Sequence, residues 1–225
     1  MAKRFLSVLA GALIAPALVM KAYGASSSVI PDERLHSFCQ KAGCDYQVFY
    51  KYFIPNRDRF CHERDVILKQ PDKLAAIKQV VNLSSDYNLP VTVAIVPIME
   101  SSLNPQASAG NYKNAAKGFW QFKPATARDM GLVVNDRVDE RLDAEKSTRA
   151  GLKYLQWLEK KFEGNHDLAV LAFHVGIGKL TTTMASTGLS NPWYLSQIAS
   201  EKRPSQDYLL KYYSYTVTLM GHGCQ

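Results

Sequence analysis

From Asp72 onward, apolar residues recur at three- and four-residue spacing, and the chain reads as a succession of helices. Asp72 can cap the first run, Ala76, Ile77, Val80, Val81 and Tyr87 share its inner face, and Asn88 closes it. Pro90 suits the first turn of a second helix over residues 91–100. Val91, Val93, Ala94, Ile95, Val96, Ile98 and Met99 make that helix apolar nearly all round, which predicts burial. Pro97 is expected to kink it. Further helices are expected over residues 124–130, 144–162, 167–176 and 208–220, with Gly131 and Gly164 as stops. Strand alternation is hinted at only near Leu132–Val134. The pattern predicts a predominantly α fold with one main domain over residues 72–225.

The upstream third follows other rules. Residues 1–24 have the form of a signal peptide: Lys3 and Arg4, an uncharged apolar run over residues 5–20, then Ala22 and Gly24. That run is short for a membrane span and contains Pro16. Cleavage near Gly24 and a periplasmic or secreted location are therefore expected. Residues 25–71 form an N-terminal extension whose Ser-rich start reads as a flexible terminus. Beyond it, Phe38, Tyr46, Phe49, Tyr50, Tyr52, Phe53 and Phe60 are too aromatic for a linker, and predict short helices and turns packed onto the main domain.

Charge and cysteines narrow the picture. The formal charge is +7, and residues 1–24 hold three positive and no negative charges, leaving +4 on the rest. This mild, unclustered excess gives no reason to expect nucleic acid; a polyanionic surface fits it. Cys39, Cys44, Cys61 and Cys224 predict two disulfides with the pairing open among three connectivities; a bond to Cys224 would tie the chain ends together. Their spacing matches no common zinc pattern, so neither a metal nor a cofactor is expected.

Glu100 ends the apolar helix as its only charged residue. Apolar surroundings disfavour an ionised carboxyl, and such a group can hold a proton and deliver it to a leaving oxygen. Between Glu100 and Asp129 there is no other acid. The acids over residues 136–145 lie close to Arg137 and Arg141 and read as a solvated, salt-bridged face, although a second carboxylate from that stretch stays open.

The segment around Glu100 resembles the catalytic core of the lysozyme-like lytic murein transglycosylases, especially the membrane-bound murein transglycosylase D group. The matching residues are Pro97, Glu100-Ser101, Asn104-Pro105, Ala107-Ser108, Gly118-Phe119-Trp120-Gln121-Phe122, Pro124, Thr126-Ala127 and Gly131-Leu132. Weaker matches continue through Tyr154-Leu155, Phe173-His174-Val175-Gly176 and Tyr208. The resemblance implies a lysozyme-like SLT catalytic domain over residues 72–225. It also implies cleavage of the β-1,4 bond between N-acetylmuramic acid and N-acetylglucosamine with one glutamate, Glu100, closing a 1,6-anhydro ring. Trp120 and Gln121 would line the groove, Trp120 by stacking on sugar faces. Ser101 and Ser108 would orient Glu100 or contact sugar, and Tyr208 would be the site tyrosine.

The sequence departs from the family in three places. About three extra residues, Tyr112 and Lys113 among them, lie between Pro105 and Gly118. Phe173 and His174 stand where the family has tyrosine and asparagine. His174 is expected to touch substrate and to add a titration near neutral pH. The partners implied are peptidoglycan glycan strands, and a secretion or envelope-spanning complex is compatible with so small a protein. Two alternatives remain: a hydrolase on the same fold, resembling goose-type lysozyme, and a non-catalytic peptidoglycan-binding protein.

Overall fold

The computed structural model describes residues 33–198, 208–219 and 223–224, all within one compact unit, Glu33–Gln225. Residues 1–24, read as a signal peptide, lie outside them. The helices are α1 (Glu33–Ala42), α2 (Tyr46–Leu68), α3 (Pro71–Ser84), α4 (Ile95–Ser101), α5 (Pro124–Asp129), α6 (Ala144–Lys161), α7 (His166–Val175), α8 (Ile177–Thr187), α9 (Pro192–Ile198) and α10 (Tyr208–Leu219). Short 3-10 turns cover Ser85–Tyr87, Val91–Ala94 and Glu140–Leu142. The described residues contain isolated β-bridges and no strand; the hint near Leu132–Val134 resolves to one bridge, Val134 to Asp139. The predominantly α reading holds.

The cysteine-bearing region is a short helix, α1, a turn, and then one long helix, α2, where only short helices and turns were expected. The side chain of Asp45 caps α2, and buried Phe49, Phe53, Phe60 and Ile67 recur on one face at helical spacing. Pro55 sits inside α2 without ending it. Both it and Lys51, whose carbonyl loses its partner there, are exposed, so water can satisfy the freed oxygen. The disulfides pair Cys39 with Cys44 and Cys61 with Cys224. The second closes a separation of 163 residues, against 5 for the first. Chain entropy makes the long loop worth about 5 kcal/mol and the short one about 2 kcal/mol.

α4 is buried as its composition predicts, but Pro97 does not kink it. The segment Val91–Ala94 is 3-10, the α-helix starts at Ile95, and Pro97 falls in its first turn. Amides there have no helical partner to lose, so proline costs little. At its other end Ser102 (φ 52°) and Leu103 (φ 61°) both turn left-handed, with Ser102 N–H donating to the Ile98 carbonyl. For a leucine that backbone is strained, and its buried side chain holds it there. The chain thus stops abruptly one turn past Ile98 and leaves Glu100 at the helix rim.

α10 packs along α2 and also meets α4, α7 and α9. Its tyrosine hydroxyls reach across these packings. Tyr212 meets His166 Nε2 at 2.8 Å, and His166 Nδ1 meets Glu159 at 2.6 Å. Tyr213 donates to Asp167, and Tyr215 donates to Glu63 of α2 at 2.5 Å. Burial pushes the Asp167 carboxyl above its ordinary range, against the Tyr213 hydrogen bond that pulls it down.

Candidate active site

Glu100, Tyr208 and His174 come together from α4, α10 and α7. The Tyr208 hydroxyl donates to Glu100 Oε1 at 2.9 Å, and His174 Nδ1 lies 3.5 Å from the same oxygen. The His174 ring stacks on the Tyr208 ring, with centroids 3.9 Å apart and planes 13° apart. Burial first, and then the neighbouring Glu100 carboxyl, hold the Tyr208 phenol well above its usual range, so it remains a donor. Glu100 Oε2 has no hydrogen-bond partner among the described residues, so one oxygen is held and the other is free.

The loop over residues 107–123 faces this trio and is rigidly built. Arg141, only 3% exposed, donates from Nη1 to the carbonyls of Ala115 (2.7 Å) and Phe122 (2.9 Å). Its Nε and Nη2 form a two-pronged contact with Asp139, each at 2.7 Å. The Arg141 hydrogen bond keeps the Asp139 carboxyl below the usual range, against a smaller opposing effect of burial. The solvated face read from residues 136–145 is therefore corrected at its centre: Arg141 is a buried clamp. No acid from that stretch lines the Glu100 cavity, because Asp139 is taken by Arg141 and Lys117, and Glu140 by Lys146. Gly118 (φ 80°) passes so close that an added Cβ would lie 1.7 Å from the Arg141 carbonyl oxygen.

Gln121 (φ 46°) turns left-handed between Trp120 and Phe122, and its side-chain amide donates to the Gly118 carbonyl at 2.8 Å and the Ala107 carbonyl at 3.3 Å. These bonds leave its side-chain oxygen available. Ser101 Oγ lies 2.8 Å from the Phe119 carbonyl and 3.1 Å from that of Pro97, so it ties α4 to the loop instead of reaching Glu100. Ser108 is exposed and donates to the Gly110 carbonyl at 2.8 Å, a turn bond away from the acid. Trp120 borders the Glu100 cavity as expected, but from within the core. Its indole is fully buried, its Nε1 donates to Thr148 at 3.3 Å, and it packs so tightly on Gly151 that a Cβ there would lie 2.3 Å away. No face of Trp120 is open to stack on a sugar. It supports Phe173, which meets Trp120, Phe122 and Tyr154 at 5.7, 5.8 and 5.5 Å between ring centroids.

These residues enclose a cavity of about 160 Å³ that runs from Glu100 past Gln121 and Phe173 to His174 and Gly176. Lys123, Thr126 and Tyr154 also line it and were missed. Tyr154 sits on the helical repeat of α6, where an aromatic reads as core. A larger hollow on α2 is lined by Val48, Tyr50, Ile54 and Pro55 and holds no acid. Another, behind α6, contains Glu140, already paired with Lys146. Among the described residues no group of three His, Cys, Asp or Glu side chains is placed to hold a metal.

A helical domain with one carboxyl at the rim of its buried central helix, facing a loop pinned from behind, is of the lysozyme-like class. The chain belongs to the Transglycosylase SLT domain family, which matches residues 82–195. It is 30% identical over 162 residues, 68% of its own length, to membrane-bound lytic murein transglycosylase D of Escherichia coli K12. It is 39% identical over 82 residues, 36% of its length, to a peptidoglycan transglycosylase of Escherichia phage T7. The chain spans about a third (34%) of the E. coli relative and 6% of the phage protein.

Proposed function

We propose that the protein is an extracytoplasmic peptidoglycan lytic transglycosylase with Glu100 as its one acid/base. The observation that carries this is the lone carboxyl in the cavity, fixed through one oxygen by Tyr208 and free at the other. Protonated Glu100 gives its proton to the oxygen linking N-acetylmuramic acid to N-acetylglucosamine, and the C1–O4 bond breaks. The resulting carboxylate takes the proton of the muramoyl 6-hydroxyl as O6 bonds to C1, which closes the 1,6-anhydro ring and resets the acid. Glycosidases that use two carboxyls place them about 5–5.5 Å or about 6.5–9.5 Å apart. No second acid lines this cavity among the described residues, which favours the intramolecular nucleophile over an activated water. Tyr208 stabilises the carboxylate stage, and the charge-assisted bond strengthens as that charge develops. Gln121, Phe173 and His174 are the side chains placed to hold the muramoyl unit, with Trp120 beneath Phe173 instead of against sugar.

Mass spectrometry of fragments released from purified sacculi tests the reading. Anhydro-muramoyl ends are expected. Reducing muramoyl ends would instead make the protein a hydrolase, and tight binding without release would make it a wall-binding protein.

A further inference from the structure

We propose that Lys123 forms a carboxylate-recognition point at the cavity rim, for the acidic arm carried by the muramoyl lactyl ether; this rests on peptidoglycan being the substrate. Lys123 is the one lysine or arginine among the described residues lining the Glu100 cavity, and it is exposed. Of the other cations on the loop lobe, Lys117 and Arg141 are paired with Asp139, Lys146 with Glu140 and Arg149 with Glu145, whereas Lys113, Arg128 and Arg137 carry no ion pair among the described residues but do not line the cavity. Lys123 has no carboxylate partner among the described residues. Glu100 does not supply one, since its contacts run to Tyr208 and His174.

The point from which the Lys123 stem leaves is prepared by the backbone. The Phe122 carbonyl before it accepts from Arg141 Nη1 (2.9 Å) and from the Lys117 amide (3.2 Å), and buried Pro124 follows. A residue before proline is held extended, and Lys123 has φ −70° and ψ 150°. Its stem therefore leaves a fixed point, and less order is lost when it meets a ligand. Size also favours a rim contact. At about 160 Å³ the cavity is well below the roughly 300–1,000 Å³ of sites that engulf a whole ligand. It accepts about one unit of a polymer, whose substituents must pass over the edge where Lys123 stands. The muramoyl unit carries its acidic arm there, either as stem-peptide carboxylates or, once the peptide is removed, as the free lactyl carboxylate.

Equilibrium binding in Glu100→Gln protein, which leaves its ligand intact, tests this with three ligands: a muramoyl tetrasaccharide bearing stem peptides, the same glycan stripped to the lactyl carboxylate, and an uncharged N-acetylglucosamine oligomer. Lys123→Met is expected to weaken the anionic ligands roughly threefold at low salt, as for an exposed ion pair, and the neutral oligomer by less. Lys123→Arg should restore most of the affinity. Loss with the peptide-bearing ligand alone assigns the stem peptide, loss with the stripped glycan alone assigns the lactyl group, and loss with both means that either is accepted. Equal change in all three ligands, or none, overturns the assignment while the substrate reading stands. Failure of both muramoyl ligands to bind overturns both the assignment and the substrate reading.

Discussion

Around Glu100 the polar contacts are few and partly open to solvent, whereas the loop lining the same cavity is pinned from behind by buried groups. Glu100 has one hydrogen bond and one 3.5 Å approach of His174, and its side chain keeps 17% exposure. Arg141 spends both prongs on Asp139 and its remaining nitrogen on two carbonyls, with almost no exposure. The first arrangement leaves lone pairs available for chemistry. The second leaves none, and so can hold strained backbone such as Gln121 in place. Reactivity and rigidity are thus assigned to different residues, and a change on either side should register in a different measurement.

The widest separation is expected from Glu100→Gln, which should lower turnover of peptidoglycan by about a thousandfold, as for loss of a general acid, with the melting temperature nearly unchanged. Arg141→Met should do the reverse in kind. Leaving Asp139 and two buried carbonyls unpartnered should cost about 3 kcal/mol of stability, read from denaturant unfolding, and lower activity only through the fraction folded. Tyr208→Phe keeps the ring stacked on His174 and removes one charge-assisted bond, so kcat should fall roughly tenfold with little change in KM.

A pH comparison sharpens the contrast through two carboxyls of opposite sign. Asp139 titrates lower in the folded protein than unfolded, so its stabilisation is present above the unfolded value and lost as pH falls through the folded one. Asp167 titrates higher when folded, so its contribution is present at low pH and lost as pH rises through the folded value. Unfolding across the acid range should therefore show Asp139→Asn flattening the loss of stability toward low pH, and Asp167→Asn removing a loss toward neutrality. The smallest effect expected is His174→Asn, which removes the ring stacked on Tyr208 and its 3.5 Å approach to Glu100 and should lower kcat by a few-fold; an unchanged kcat would remove His174 from the chemistry of the site.

Helices with strong apolar spacing were legible in advance. The buried helix ending at Glu100 and the inward leucines of α6 follow from residue pattern alone, and Asn88, Gly131 and Gly164 stop their segments as expected. α8 and α9 were not legible. α8 is rich in Thr, Ser and Gly, and Leu180 is its one buried side chain, so the helical spacing of Ile177, Leu180 and Met184 rests on few apolar residues set among small and polar ones. Trp120 and Arg141 were misjudged for another reason. Whether an indole faces solvent depends on Gly151 thirty-one positions later, and whether an arginine is solvated depends on the carbonyls of Ala115 and Phe122. Such facts belong to pairs of distant positions, and single-residue character cannot report them. The motif around Glu100 singled out that carboxyl, but not that Ser101 and Trp120 brace the loop and the floor without touching it.

Tyr208 lies 108 residues after Glu100, on a helix packed along α2, and past the end of that helix Cys224 is bonded to Cys61 of α2, a disulfide clasp. A nascent chain that has emerged only as far as residue 200 has its acid but not the hydroxyl that seats it. The clasp itself forms only where an oxidant is available. Seating Glu100 therefore depends on the last stretch of the chain, and closing the clasp depends on an oxidant, so neither is set by the residues around Glu100 alone.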